Sequence, residues 1–251
     1  MSTTQQSITQ AAGISMRTVS IIGLIAAAVY VIALWANWPV VQLITIGIPL
    51  LCMIIWLLRL PRDVFANLIM GGLIVSLAAD LVVQWDKSLF AAGLYISLVA
   101  QLLYVAAFVS ITRRGNWVRL IPFVAWGLII FLIVNPHLGD QQLPVVVYLI
   151  ALVLLPWRAA AMLNSHGQLE TFELGALVGT LAFALSDTLV LLNRFIWHDT
   201  LTMFSVQDSA PFIATLVVIL YWLGQWAIAL AAGWEAKDRA RSSGITAGRG
   251  R

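Results

Sequence analysis

Eight stretches of about 20 apolar residues follow one another along this chain, separated only by short polar connections. Their approximate bounds are 18–38, 40–58, 64–83, 89–111, 118–134, 143–163, 172–192 and 211–234. A bilayer crossing by an α-helix needs roughly 20 such residues, and backbone polar groups in hydrocarbon must be satisfied within the segment. The chain therefore reads as an all-α, polytopic transmembrane bundle of about eight spans. Hydrophobic residues make up 61% of it and charged residues 10%, far from the balance of a soluble domain. The aliphatic runs lack the period-two alternation of an outer-membrane barrel. One membrane domain is expected over 18–234, between a polar tail at 1–17 and a disordered basic tail at 235–251. The first run lacks a small-residue cleavage site and reads as a retained helix rather than a signal peptide.

Basic residues fall on one side of this arrangement. Arg17, Arg59, Arg62, Arg113, Arg114, Arg119, Arg158 and the C-terminal basic residues share a side, whereas the other holds Lys87 and Arg194. The positive-inside rule places both termini in the cytoplasm, in a cytoplasmic (inner) membrane. The net charge of +3 follows this topology and is no nucleic-acid signal; the tail arginines suit anionic lipid headgroups. Trp38, Trp56, Trp85, Trp117, Trp197 and Trp234 lie near expected helix ends, as interfacial anchors do.

Two aspartates interrupt the apolar runs in similar contexts. Asp80 lies in GGLIVSLAADLVV and Asp187 in GALVGTLAFALSDTLVLL, each with a glycine eight residues earlier, Gly72 and Gly179. A charge at the bilayer centre costs about 2.5 kcal/mol or more, so a chain that bears this twice has a use for both groups. The matching contexts suggest a four-helix repeat, with the third and seventh spans parallel. Small residues on the aspartate faces, Ser76 and Gly72 in one and Gly175 and Gly179 in the other, let neighbouring backbones approach and turn the carboxyl groups into the bundle. Both sit in the outer third of the bilayer, as does Tyr148. Gln101 and Tyr104, and Tyr221 and Gln225, share helix faces at spacings of three and four.

Two carboxyl groups in a partly dry pocket resist ionising together, so one can hold a proton while the other activates water. This division suits an acid-sensitive C–O bond that breaks through an oxocarbenium-like state. The neighbouring Tyr and Gln side chains can orient a substrate, and Arg194 can meet a phosphate at the pocket mouth. A packing role is the alternative, with Asp80 bonded to Tyr or Gln of the fourth span and Asp187 to those of the eighth. Other chemistries find no support. The histidines His137, His166 and His198 fall in loops on different sides, and the single cysteine, Cys52, sits mid-helix, so no metal site is expected. No lysine lies mid-membrane for a Schiff base, and no serine has a nearby histidine. A proton-coupled transporter or flippase of a small amphiphile would use the aspartates as a relay. The near absence of Gly/Pro-interrupted helices disfavours that reading.

The order of short motifs resembles the YhhN-like lysoplasmalogenase family of eight-helix membrane proteins. Ala79-Asp80 stands where that family has Gly-Asp, and Phe90 to Gly93 matches its Phe-x-x-Gly. Gln101-Leu-Leu-Tyr104 matches its His-x-x-Tyr with Gln in place of His. Tyr148, Gly175-Ala176, Ser186-Asp187, Arg194-Phe195, Tyr221 and Gln225 complete the series. The resemblance implies hydrolysis of the vinyl ether bond of lysoplasmalogens, giving a fatty aldehyde and a glycerophospho-ethanolamine or -choline. Asp80 and Asp187 are then the catalytic pair, acting without metal or other cofactor. Gln101, Tyr104, Tyr148, Tyr221, Gln225 and Arg194 bind the lyso-ether phospholipid.

Overall fold

The computed structural model describes residues 16–165, 167–196 and 211–248. Their helices are α1 (Met16–Trp35), α2 (Pro39–Thr45), α3 (Ile48–Leu57), α4 (Val64–Trp85), α5 (Phe90–Ile111), α6 (Ile121–Val134), α7 (Gln142–Met162), α8 (Thr171–Phe195) and α9 (Pro211–Gly248), with short 3-10 turns between some of them. Together they supply eight helical segments long and apolar enough to cross a membrane, and the chain is an integral membrane protein. Most of the expected tail at 1–17, its counterpart at 249–251, and His166, Trp197 and His198 lie outside the described residues.

Helix ends follow from local chemistry. Asp63 caps α4 by accepting the Ala66 N–H at 2.7 Å, and Asp86 ends it while accepting the Ser88 N–H at 2.8 Å. Asn37 takes the positive φ of 60° that the tight turn between α1 and α2 requires, a conformation asparagine tolerates. At the start of α8 the buried Glu173 accepts N–H bonds from Asn164, Ser165 and Glu170 and the Ser165 hydroxyl, which fixes the turn from α7. Two of the arginines that mark the topology also cap helix C-termini. Arg158, buried in α7, donates to the Thr112 and Arg114 carbonyls past the end of α5. Arg119 donates to Ala160 O and Leu163 O at the end of α7, at 2.5 and 3.0 Å.

Three expectations need correction. The second span is not continuous: it breaks at Ile46-Gly47 into α2 and α3, because Pro49 has no N–H to give the Thr45 carbonyl. The last helix does not stop at Trp234, where composition suggests that a disordered tail begins, but continues to Gly248. Glu235 and Arg239 bond one turn apart, and Arg239 also meets Asp63 Oδ2 at 3.1 Å, so this end of α9 is held against the start of α4. Trp38, Trp85 and Trp117 are exposed as interfacial anchors should be, but Trp56 is buried. Its ring fills the space a side chain at Gly233 would need.

Helix pairing repeats with a four-span period. Within each half of the chain successive spans pack in order, and the third and fourth form the most extensive pair, α4 with α5 and α8 with α9. The halves meet through α5 against α7 and α3 against α9. In both cases the fourth span of one half lies on the second span of the other. The α8–α9 contact is a backbone contact: a Cβ at Gly179 would stand 2.8 Å from Gly224 O, and one at Gly224 would stand 2.8 Å from Gly179 O. A Cβ at Gly72 would stand 2.1 Å from the Tyr104 ring.

These close approaches predict that Gly179→Val and Gly224→Val each lower stability in detergent by at least the ~1–3 kcal/mol of an overpacked core, read as a fall in the thermal unfolding midpoint. Gly71→Ala, whose Cβ would meet Leu103 at an ordinary 3.6 Å, leaves the midpoint unchanged.

Candidate active site

The third and seventh spans bring Asp80 and Asp187 to one cavity. Its empty volume, open mouth included, is about 930 Å³, and both aspartates line it together with Tyr148 and Tyr221. It lies toward the end of the bundle that carries the α4–α5 turn, since Phe90, Gly93 and Ala214 from the first turns of α5 and α9 also border it. No Lys, Arg or His is among the described residues that line it. Apart from the carboxyls, hydroxyls and an indole, the wall is apolar, with Ile46, Val83, Leu94, Phe183, Val190 and Val217 prominent.

Each carboxyl group is anchored by a tyrosine. The Tyr221 hydroxyl donates to Asp80 Oδ2 at 2.9 Å. The Tyr148 hydroxyl and Gln101 Nε2 both donate to Asp187 Oδ2, at 2.6 and 2.8 Å. Two of these bonds cross the halves, Gln101 of the fourth span to the aspartate of the seventh and Tyr221 of the eighth to that of the third, whereas Tyr148 reaches Asp187 from the adjacent sixth span. The within-half pairing expected from the sequence is therefore corrected. The reason is topological, since α5 packs across the halves onto α7, beside α8, and α9 packs against α4 as well as α8.

Below the carboxyl groups a second polar cluster joins three helices. Tyr104 donates to Gln225 Oε1 at 2.7 Å, and Gln225 Nε2 donates to Ser76 Oγ at 3.2 Å. Ser76 Oγ stands 3.5 Å from the Tyr104 hydroxyl. Tyr104, Gln225 and Ser76 are buried, and of the three only Ser76 lines the cavity. Tyr104 and Gln225 thus form its floor rather than its wall. Gln101 likewise reaches the cavity through Asp187 and does not border it. Arg194 is exposed at the end of α8, with its guanidinium 5.2 Å from the centre of the Phe90 ring. Phe90 lines the cavity, so this charge stands behind one wall of it.

Sequence reasoning missed Tyr30 and Trp222. Both border the cavity, packed edge to face with ring centres 5.3 Å apart, and the buried Trp222 Nε1 has no hydrogen-bond partner among the described residues. Of the five tyrosines in the chain, Tyr30, Tyr104, Tyr148 and Tyr221 belong to this region and only Tyr95 is exposed, a distinction that appears only once the helices are packed.

Comparison with known proteins identifies a family and two relatives. The model of the YhhN family matches residues 41–232. Human (Homo sapiens) lysoplasmalogenase TMEM86B is 28% identical over 174 residues, 67% of this chain and 71% of the relative. Human lysoplasmalogenase TMEM86A is 27% identical over 192 residues, 74% of this chain and 75% of the relative. No solved structure matches.

The three-helix cluster predicts a coupling. Tyr104→Phe strands the buried Gln225 carbonyl oxygen and lowers stability by about 1–3 kcal/mol, as does Gln225→Leu. A double-mutant cycle of thermal midpoints gives a combined loss smaller than the two single losses together.

Proposed function

The chain belongs to the YhhN family, and from that membership we propose that it is a membrane-embedded hydrolase that cleaves the vinyl ether bond of a lysoplasmalogen. The products are a fatty aldehyde and a glycerophospho-ethanolamine or -choline. The observation that carries this reading is that Asp80 and Asp187, from helices far apart in sequence, line the same largely apolar cavity. One carboxyl group delivers a proton to the alkene carbon, and the other takes a proton from the water that attacks the resulting oxocarbenium. Paired carboxyl groups supply both steps, as they do in glycoside hydrolysis. The apolar wall accommodates the alkenyl chain. Arg194, beside Phe90, meets the phosphate, consistent with a site entered from the non-cytoplasmic face of an inner membrane. Tyr148 and Tyr221 hold the carboxyl groups in place, while Gln101, Tyr104 and Gln225 hold the helices that carry them.

The break in the second span at Ile46, beside the cavity, joins the four-span repeat in favouring the transport alternative, because interrupted helices and internal repeats mark substrate sites in transporters. One experiment separates the two. Purified protein in micelles is given a lysoplasmalogen and released aldehyde is measured. Asp80→Asn and Asp187→Asn each lower aldehyde release by about 10²–10⁴-fold, the usual contribution of a general acid or base, while thermal unfolding shows both variants folded. Absence of aldehyde from the wild type, together with uptake into vesicles driven by a pH gradient, would replace hydrolysis with transport. Arg194→Gln raises KM by about 2–5-fold, the scale of an exposed ion pair, and leaves kcat within about twofold.

A further inference from the structure

The two carboxyl groups share a cavity but not an environment. Asp187 is buried, and its Oδ2 receives two hydrogen bonds, from Gln101 Nε2 and the Tyr148 hydroxyl. The Tyr148 bond, at 2.6 Å, is the shortest of the three bonds to the carboxyl groups. Asp80 is half-buried and receives one, from Tyr221 at 2.9 Å. Oδ1 of neither carboxyl takes a hydrogen bond from a described residue. No cation lines the cavity among the described residues, and Asp80 lies within electrostatic reach of Asp187. Two negative charges so placed resist coexisting, and a carboxylate that accepts more donors keeps its charge more readily. When the pair holds one proton, it therefore belongs on the group with fewer donors.

We propose that Asp80 carries the proton and acts as the general acid, that Asp187 carries the charge and acts as the general base, and that Gln101 and Tyr148 are positioning residues that hold Asp187 in that state. This assignment deepens the hydrolase reading and rests on it for the reaction steps, though not for the placement of the proton. In those steps the Asp80 proton passes to the alkene carbon distal to the ether oxygen. The π electrons form the new C–H bond, and the carbon next to the oxygen becomes the oxocarbenium. Asp187 removes a proton from water as the water oxygen bonds to that carbon, giving a hemiacetal. In its collapse, Asp187 returns its proton to the departing glycerol oxygen and Asp80 takes the proton of the hemiacetal hydroxyl. The C–O bond breaks to aldehyde and alcohol. One water is consumed, and each carboxyl group ends in its starting state, so no further proton carrier is needed.

Infrared spectroscopy of the purified full-length protein tests the assignment without substrate. A protonated carboxyl group gives a C=O stretching band that shifts in heavy water, and its position differs between Asp and Glu. The expected result is a band that moves in Asp80→Glu and stays in place in Asp187→Glu. Asp80→Asn, which should fold with least disturbance, abolishes it. Removing both donors from Asp187 with Gln101→Leu and Tyr148→Phe lets the proton move to Asp187, so that the band no longer responds to Asp80→Glu. A protein that has lost only packing contacts would keep that response. A band that moves with Asp187→Glu, with both substitutions, or with neither overturns the proposal. Aldehyde release by the wild type is measured separately, so a protein with the expected band and no aldehyde refutes hydrolysis and keeps the proton assignment. Aldehyde release with the opposite band pattern does the reverse.

Discussion

A carboxyl group in hydrocarbon must find its hydrogen bonds on neighbouring helices, and Asp80 and Asp187 each take one from the opposite half of the chain. That constraint organises the bundle. Tyr221 of α9 must reach back to α4, and Gln101 of α5 and Tyr148 of α7 must converge on α8. Leaving any of these acceptors unpaired in a medium without water costs several kcal/mol. The polar bonds therefore select the arrangement in which the halves interlock over one cavity, rather than packing as separate four-helix units.

The small residues make that arrangement sterically possible. Gly179 and Gly224 bring the α8 and α9 backbones into contact, and Gly72 admits the Tyr104 ring. With the helices this close, Tyr104, Gln225 and Ser76 can bond across three of them, giving the cavity a rigid floor. In hydrocarbon no hydrophobic force pulls helices together, so close van der Waals contact and interhelical hydrogen bonds have to do so. Here both occur on the faces that carry the aspartates. The same contacts that hold the bundle hold the distance between the two carboxyl groups.

What the sequence reveals follows from which physical rules are local. Bilayer thickness sets the length of an apolar run, so the eight spans and their limits are legible to within a few residues. The cost of a buried charge is local too, and it singles out Asp80 and Asp187 from their apolar neighbours alone. The break at Gly47 was also legible, because Pro49 removes one specific N–H, but the run around it is apolar enough to pass for a continuous span. The extension of α9 was hidden by its charged composition; its stabilising partner, Asp63, lies in a distant loop. The order in which helices pack is not local at all. Nothing in the spacing of Gln101 and Tyr104 says that one reaches Asp187 while the other turns to Gln225, and nothing around Tyr30 marks it as a wall of the cavity. Such assignments depend on contacts between spans far apart in sequence.

Gln101 bears on how a proton can travel in this site. Where the family pattern has histidine, this chain has an amide, which donates a hydrogen bond but neither gains nor loses a proton under ordinary conditions. Its Nε2 is used on Asp187, and its Oε1 is buried without a partner among the described residues. An unsatisfied buried oxygen costs about 1–3 kcal/mol, so the amide is kept at a cost that a leucine would avoid. The gain lies in the donor: a second bond to Asp187 Oδ2 that does not depend on pH and that cannot carry the proton away. A histidine could take up a proton beside Asp187 and become a third participant. With glutamine the exchange in the proposed reaction is confined to the two carboxyl groups and the substrate water, and a reaction that consumes one water and restores both carboxyl groups needs no third proton carrier.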